Sequence, residues 1–270
     1  MIEQGKDTLN QIIEYKFHFV AFIDILGYSD IIINSTEKSA IKEISRFSTL
    51  FEEAKSIISK QYSWEKDKFS IKFFSDCFCI SILADILNAD AFFQLIARIQ
   101  KEFVRDRMLV RGAVTIGNHF ENNSIIFSEA LIEAYQIESK QAIFPRITIS
   151  KKIKDFIFEN GTEEDIIWFK DIYCWKDNQD NQLFIDYLNF MPYNKKSEPN
   201  HNGKDLLDHK RFIESNLDKY AGNKNIYEKF QWLANYHNSY CRFFYFDMNH
   251  LFINCDLEIR EMSNYMNWRK

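Results

Sequence analysis

Proline is scarce in this chain, at 3 of 270 residues, and glycine is nearly as rare, at 7. So few breakers predict long regular elements and few elaborate loops. No apolar run approaches the roughly 20 residues that a membrane-spanning helix needs. The opening stretch, residues 1–16, is polar with charges of both signs, which is not a secretory signal. The expectation is a soluble, cytoplasmic protein without a membrane partner. Cysteines are few and irregular: Cys77, Cys79, Cys174, Cys241 and Cys255. An odd count with this spacing argues against a disulfide framework or a zinc site. Cys77 and Cys79, two apart in a strand-like run, should share one face as small apolar residues. A basic excess is also missing. The formal net charge is −5, which argues against general nucleic-acid binding and leaves room only for a local basic pocket. The six histidines show no metal-ligand spacing, and no G-x-S-x-G motif is present to support a serine nucleophile.

What the chain does have is core material. Hydrophobic residues make up 46%, with 26 phenylalanines, so disorder is not expected. Residues 17–26, FHFVAFIDIL, read as a strand buried on both faces. A helix over 36–60 follows from apolar residues at i, i+3, i+4 spacing. Strands over 69–74 and 77–83 flank a turn at Ser75-Asp76. Asn88 or Asp90 can cap a second helix, and 108–116 is a further strand ended by Gly117-Asn118. The order strand, helix, strand, strand, helix, strand is the ferredoxin-like βαββαβ arrangement of an α/β (α+β) fold. A helix near 128–139, a strand near 146–150 and a hairpin pairing 166–173 with 183–187 come next. A polar loop over 193–204 leads to helices over 205–220 and 225–246. The division this suggests is an α/β core, 1–190, and a C-terminal helical extension, 191–270.

Two strand-end carboxylates stand out in that layout. Asp24 lies near the end of the first strand and Asp76 at a hairpin tip. In a ferredoxin-like sheet the first strand is central and adjoins that hairpin, so the two can meet. Facing carboxylates repel unless a proton or cation intervenes. Oxygen-only ligands suit Mg²⁺ or Mn²⁺, and two such ions can serve phosphoryl transfer. Gly27 lets backbone approach a ligand closely, and Tyr28 and Ser29 lead into a helix whose free N–H groups suit phosphate. The Ile25 carbonyl is a candidate additional metal ligand. On spacing alone, the reading of both aspartates as plain turn residues stands beside the metal reading.

Taken together these segments resemble the class III nucleotide cyclases. That family's D-I-x-G-[FY]-[ST] motif has its counterpart in Asp24-Ile25-Leu26-Gly27-Tyr28-Ser29, and its K-x-x-G-D motif in Lys72-Phe73-Phe74-Ser75-Asp76. A looser counterpart of R-x-G-x-x-x-G begins at Arg111. The resemblance covers roughly residues 17–150. It implies that Asp24 and Asp76 are the metal pair, that two Mn²⁺ or Mg²⁺ ions serve each active site, and that Lys72 falls where many members read the base. It departs where purine cyclases carry N-x-x-x-R, since the matching positions here are Ile132 and Gln136. A narrower similarity, through DILGYS, Ala134-Tyr135-Gln136-Ile137-Glu138 and Ala142-Ile143-Phe144-Pro145-Arg146-Ile147, is to the pyrimidine cyclases of bacterial Pycsar antiphage systems. That likeness implies a homodimer converting UTP or CTP to the 3′,5′-cyclic monophosphate, which a separate effector protein reads. Arg146, or else Arg111, would supply the transition-state cation, and Tyr135 would face the nucleotide. The alternatives for the two arginines are ion pairs, for Arg146 with Glu138. A degenerate nucleotide sensor, a purine cyclase and a protein-interaction module whose working surface is the helical tail are the rival readings.

Overall fold

A computed structural model describes residues 14–63, 68–191, 204–254 and 260–264. The expected loop over 193–204 lies almost wholly outside the described residues, as does Cys255. The other four cysteines are free thiols.

The first strand, β1 (Lys16–Ile25), alternates strictly. Phe19, Ala21, Ile23 and Ile25 enter the main core, so Val20, Phe22 and Asp24 point to the opposite face. After it come α1 (Tyr28–Ile33), α2 (Glu37–Tyr62), β2 (Ser70–Phe74), β3 (Cys77–Leu83), α3 (Ile86–Arg105) and β4 (Val110–Glu121). The strands are ordered β2-β3-β1-β4, with antiparallel neighbours throughout. That is the ferredoxin-like order expected from the sequence. Helices α2 and α3 cover one face through an aromatic cluster in which Phe47, Phe51, Phe78 and Phe103 pack ring on ring. Gly112 permits the close approach of β4 to β1, because a Cβ there would run into the Phe22 carbonyl.

Further strands extend the sheet. β5 (Ile126–Ser128) pairs with β4, and α4 (Glu129–Gln141) then lies over β4 and β1 on the face opposite α2 and α3. β6 (Ile147–Ile149) joins β4 in parallel. Beyond α5 (Lys151–Asn160) and α6 (Glu163–Trp168) come β7 (Cys174–Asp177) and β8 (Leu183–Ile185). α7 (Asp205–Lys219) and α8 (Lys224–Phe244) form the helical tail, and β9 (Met262–Asn264) adds the last strand beside β7. α8 covers the β7–β8 hairpin, with Trp232 and Tyr236 edge-on to Phe184 and Tyr236 edge-on to Trp175.

Several local expectations need correction. The second long helix is capped by Asp85, whose carboxylate accepts the Leu87 N–H. Asn88 instead turns its amide onto the Leu83 carbonyl at 2.8 Å. Gly117 and Asn118 do not end β4; they continue the ladder opposite His18 and Phe17. Residues 166–173 are not a strand. Thr162 and Asp165 form a reciprocal capping box, which starts a helix despite the β-rich Ile166-Ile167-Trp168. That helix ends in a π-helical turn, Phe169–Tyr173, and only Cys174–Asp177 pairs with β8. β5, α5 and β9 are elements that the sequence pattern does not predict.

Asp186, fully buried at the end of β8, gives the fold a pH dependence. Burial pushes its pKa up to about 7, against the hydrogen bond donated by Tyr236, which pulls it down. The folded chain therefore holds a proton that the unfolded chain releases at ordinary carboxylate pH. This contribution to stability is present at low pH and is lost as pH rises through about 7. Asp186→Asn should raise the melting temperature more at pH 8 than at pH 5. An equal gain at both, read by thermal unfolding, would contradict the assignment.

Candidate active site at the end of β1

The alternation of β1 places Asp24 on the α4 side, opposite Cys77 in β3 and Arg111 in β4. Gly27, at φ +73°, then reverses the chain into α1, a backbone conformation costing roughly 1–2 kcal/mol for other residues. Asp76 arrives from the two-residue turn between β2 and β3. Its carbonyl accepts the Ile25 N–H at 2.8 Å, which ties the hairpin tip to the end of β1. Ser29 donates its hydroxyl to the Asp76 carboxylate.

Arg111 links the corner to α4. Its Nε lies 3.0 Å from Asp24 Oδ2 and 2.7 Å from Glu138 Oε1. Glu138 is 4% exposed, against 22% for the Asp24 side chain. Burial raises the Glu138 pKa, Arg111 opposes that rise, and Asp24 adds to it. The Cys77 thiol is pushed up to about 11, first by burial and then by the charges of Asp76, Asp24 and Glu138. Asp24 and Glu138 thus flank the Arg111 guanidinium, and Asp76 adds a third carboxylate at the end of the same strands, so acidic groups outnumber cations at this corner.

Among the described residues, no three His, Cys, Asp or Glu side chains form a ready metal cage. Mg²⁺, however, is commonly held by one or two carboxylates together with substrate phosphates. Asp24 and Asp76, as hard oxygen donors at one corner, fit that half-site.

The other expected site residues are distributed differently. Tyr28 is buried edge-on against Phe47, so its ring serves the core. Lys72 sits on the Asp24 side of β2; burial raises the Glu121 pKa, but hydrogen bonds with His119 and Ser70 and the charges of His119 and Lys72 together bring it below its ordinary value. Tyr135 is 55% exposed on α4 and packs edge-on to Phe22. Arg146 is 1% exposed, and its guanidinium is ion-paired to Asp177 at 2.9 Å and Asp180 at 2.6 Å. Among the described residues, none of the partners of its guanidinium belongs to the Asp24 corner. Glu138, the alternative partner the sequence suggested for Arg146, pairs with Arg111 instead. No sequence motif announces the Arg146–Asp177–Asp180–Arg260 cluster, since the two arginines lie far from the Asp177–Asp180 turn in the chain.

No family model matches the chain, and no curated protein does. Similar solved structures include the monomeric guanylyl cyclase domain of the RhoGC fusion protein from the aquatic fungus Blastocladiella emersonii. It is 14% identical at a TM-score of 0.42, covering 64% of this chain and 95% of that one. A bacterial light-regulated adenylyl cyclase is 12% identical at 0.44, over 65% of this chain and 52% of its own. An adenylate/guanylate cyclase/hydrolase from Silicibacter pomeroyi is 16% identical at 0.39, over 64% and 95%. The chemistry of the corner rests on this chain's own residues.

Proposed function

We propose that this chain is a nucleotide cyclase that converts a pyrimidine nucleoside triphosphate, UTP or else CTP, to its 3′,5′-cyclic monophosphate and pyrophosphate. The observation that carries the reading is the meeting of Asp24 and Asp76 at one sheet corner, beside Ser29 and Arg111. The sequence motifs around both aspartates resemble those of class III cyclases. Ile132 and Gln136, in place of the purine enzymes' Asn and Arg, favour a pyrimidine substrate.

Asp24 and Asp76 would hold Mg²⁺ or Mn²⁺, two ions in the full reaction, with the Ile25 carbonyl as a further donor. Ions bound there lower the pKa of the ribose 3′-hydroxyl and neutralise phosphate charge. Ser29 fixes the Asp76 carboxylate through its hydroxyl. The 3′-oxygen attacks the α-phosphorus, its proton passes to solvent, and the bond to the β-phosphate oxygen breaks to release pyrophosphate. Arg111, 3.0 Å from Asp24, would be the cation for the charge that grows on the phosphate oxygens. Gly27 leaves room for the triphosphate, and Lys72 and Tyr135 lie on the same sheet face and its covering helix, where the nucleoside would reach.

The chain would act as a homodimer. Support comes from Ile132 and Tyr135, 61% and 55% exposed on α4, and from Phe74, half-exposed beside Phe22. Burying such apolar surface against a second copy is favourable. Light scattering should give twice the chain mass for the wild type and a monomer for Ile132→Glu, and a wild-type monomer would refute the dimer. No described helix is long and apolar enough to cross a membrane. By the Pycsar resemblance, the product would be a second messenger read by a separate effector in antiphage defence.

Incubating the purified chain with each of the four NTPs and Mn²⁺ tests the reading. A cyclic pyrimidine product is expected. A cyclic purine would overturn the base assignment, and binding without turnover would favour the degenerate sensor, to which the missing Asn and Arg also point.

A further inference from the structure

Arg111 and a divalent cation make competing claims on Asp24. The guanidinium Nε sits 3.0 Å from Asp24 Oδ2, and a cation on the same carboxylate would be repelled by it. The guanidinium therefore needs a second place to rest, close enough that it stays at the corner. Glu138 provides one. Its Oε1 lies 2.7 Å from Arg111 Nε, yet the Nε–H is donated to Asp24 Oδ2, which leaves this buried Glu138 oxygen without a hydrogen bond among the described residues. Its side chain is almost wholly buried under α4, where an ionised carboxylate without a partner is costly. Glu138 thus has an unfilled acceptor for the Arg111 N–H within reach, whereas the more open Asp24 can exchange the guanidinium for another cation.

We propose that Glu138 is a positioning residue, which draws the Arg111 guanidinium away from Asp24 and so frees that carboxylate for the divalent cation. The inference rests on the assignment of Asp24 and Asp76 as the cation-holding pair. Arg111 neutralises Asp24 when no ion is bound. When an ion arrives, Glu138 keeps Arg111 beside the site, aimed at the phosphates, instead of releasing it to solvent.

The probe is Mn²⁺ alone, without nucleotide, titrated into the full-length chain and followed by the electron paramagnetic resonance of free Mn²⁺. Glu138→Gln is expected to weaken Mn²⁺ binding about tenfold, in the range typical for residues that orient metal ligands. Arg111→Gln, which removes the competitor, should bind Mn²⁺ at least as tightly as the wild type. In the Arg111→Gln background, Glu138→Gln should change nothing further. Equal weakening in both backgrounds would mean that Glu138 acts on the ion directly, and unchanged binding in the single variant would mean that it does not act at all. Either result overturns the proposal. Cyclisation by Glu138→Gln should also recover at excess Mn²⁺, which a merely structural lesion would not allow. If Glu138→Gln does not fold, Glu138→Asp withdraws the carboxylate by one methylene and should weaken binding in the same direction. Asp24→Asn tests the underlying assignment separately: if it binds Mn²⁺ normally, the metal site itself is wrong and the role of Glu138 falls with it.

Discussion

Asp24→Ala and Asp76→Ala are each expected to abolish cyclic nucleotide formation while leaving the fold intact. Changes to residues that only orient a metal ligand cost about 10–100-fold, so loss of either carboxylate itself should exceed that range. Stability should not follow activity downwards. Asp24, Asp76 and Glu138 crowd one corner, each raising the Cys77 pKa, and removing one of several like charges relieves repulsion. In Asp24→Ala the guanidinium of Arg111 still has Glu138, 2.7 Å away. The measurement pairs product yield with thermal unfolding of the same samples. Wild-type turnover by either variant would sink the two-metal reading, and turnover lost together with the fold would leave these carboxylates as structural groups.

Arg146→Ala should do the reverse and damage the fold first. Its guanidinium is buried within a charge cluster and against two aromatic rings. It bonds Asp177 and Asp180, and it lies 5.7 Å from the Phe144 ring centroid and 5.8 Å from that of Trp232. Asp177 is 0% exposed and also accepts from Trp232 Nε1 at 2.9 Å and Arg260 Nε at 2.6 Å. Removing one partner of a buried ion pair typically costs about 3–5 kcal/mol, which corresponds to a fall in melting temperature of about 10 °C in a chain of this size. Arg146→Lys should recover only part of that loss, since a lysine cannot span both aspartates with a planar fork. A variant that melts like the wild type yet makes no product would restore Arg146 to the reaction.

The contrast between Arg146 and Arg111 shows what the sequence disclosed and what it hid. Strands and helices of the βαββαβ unit were legible because period-2 and period-3.6 patterns are local, as in the β1 run from Phe19 to Ile25. The Asp24 corner was legible because the topology itself brings the end of the first strand to the tip of the next hairpin. The choice between the two arginines was not, because a guanidinium on a long stem is placed by partners remote in the chain. Arg146 finds its partners 31 and 34 residues away, at the end of β7 and in the turn after it. Nothing around position 146 announces them. The misread strand at 166–173 has a different cause: β-branched residues suggested a sheet, but Thr162 and Asp165 had already committed the backbone to a helical start.

The alternation of β1 has a consequence for how this chain can change over generations. Exchanging one side chain for another in the strand disturbs one place on one face. Inserting or deleting a single residue between Phe19 and Asp24 inverts every position beyond it, sending Asp24 inward among phenylalanines and Ile23 or Ile25 outward. β1 is hydrogen-bonded to both β3 and β4 along its length, so no neighbouring edge can absorb the slip. Length, more than composition, is what this strand must inherit unaltered.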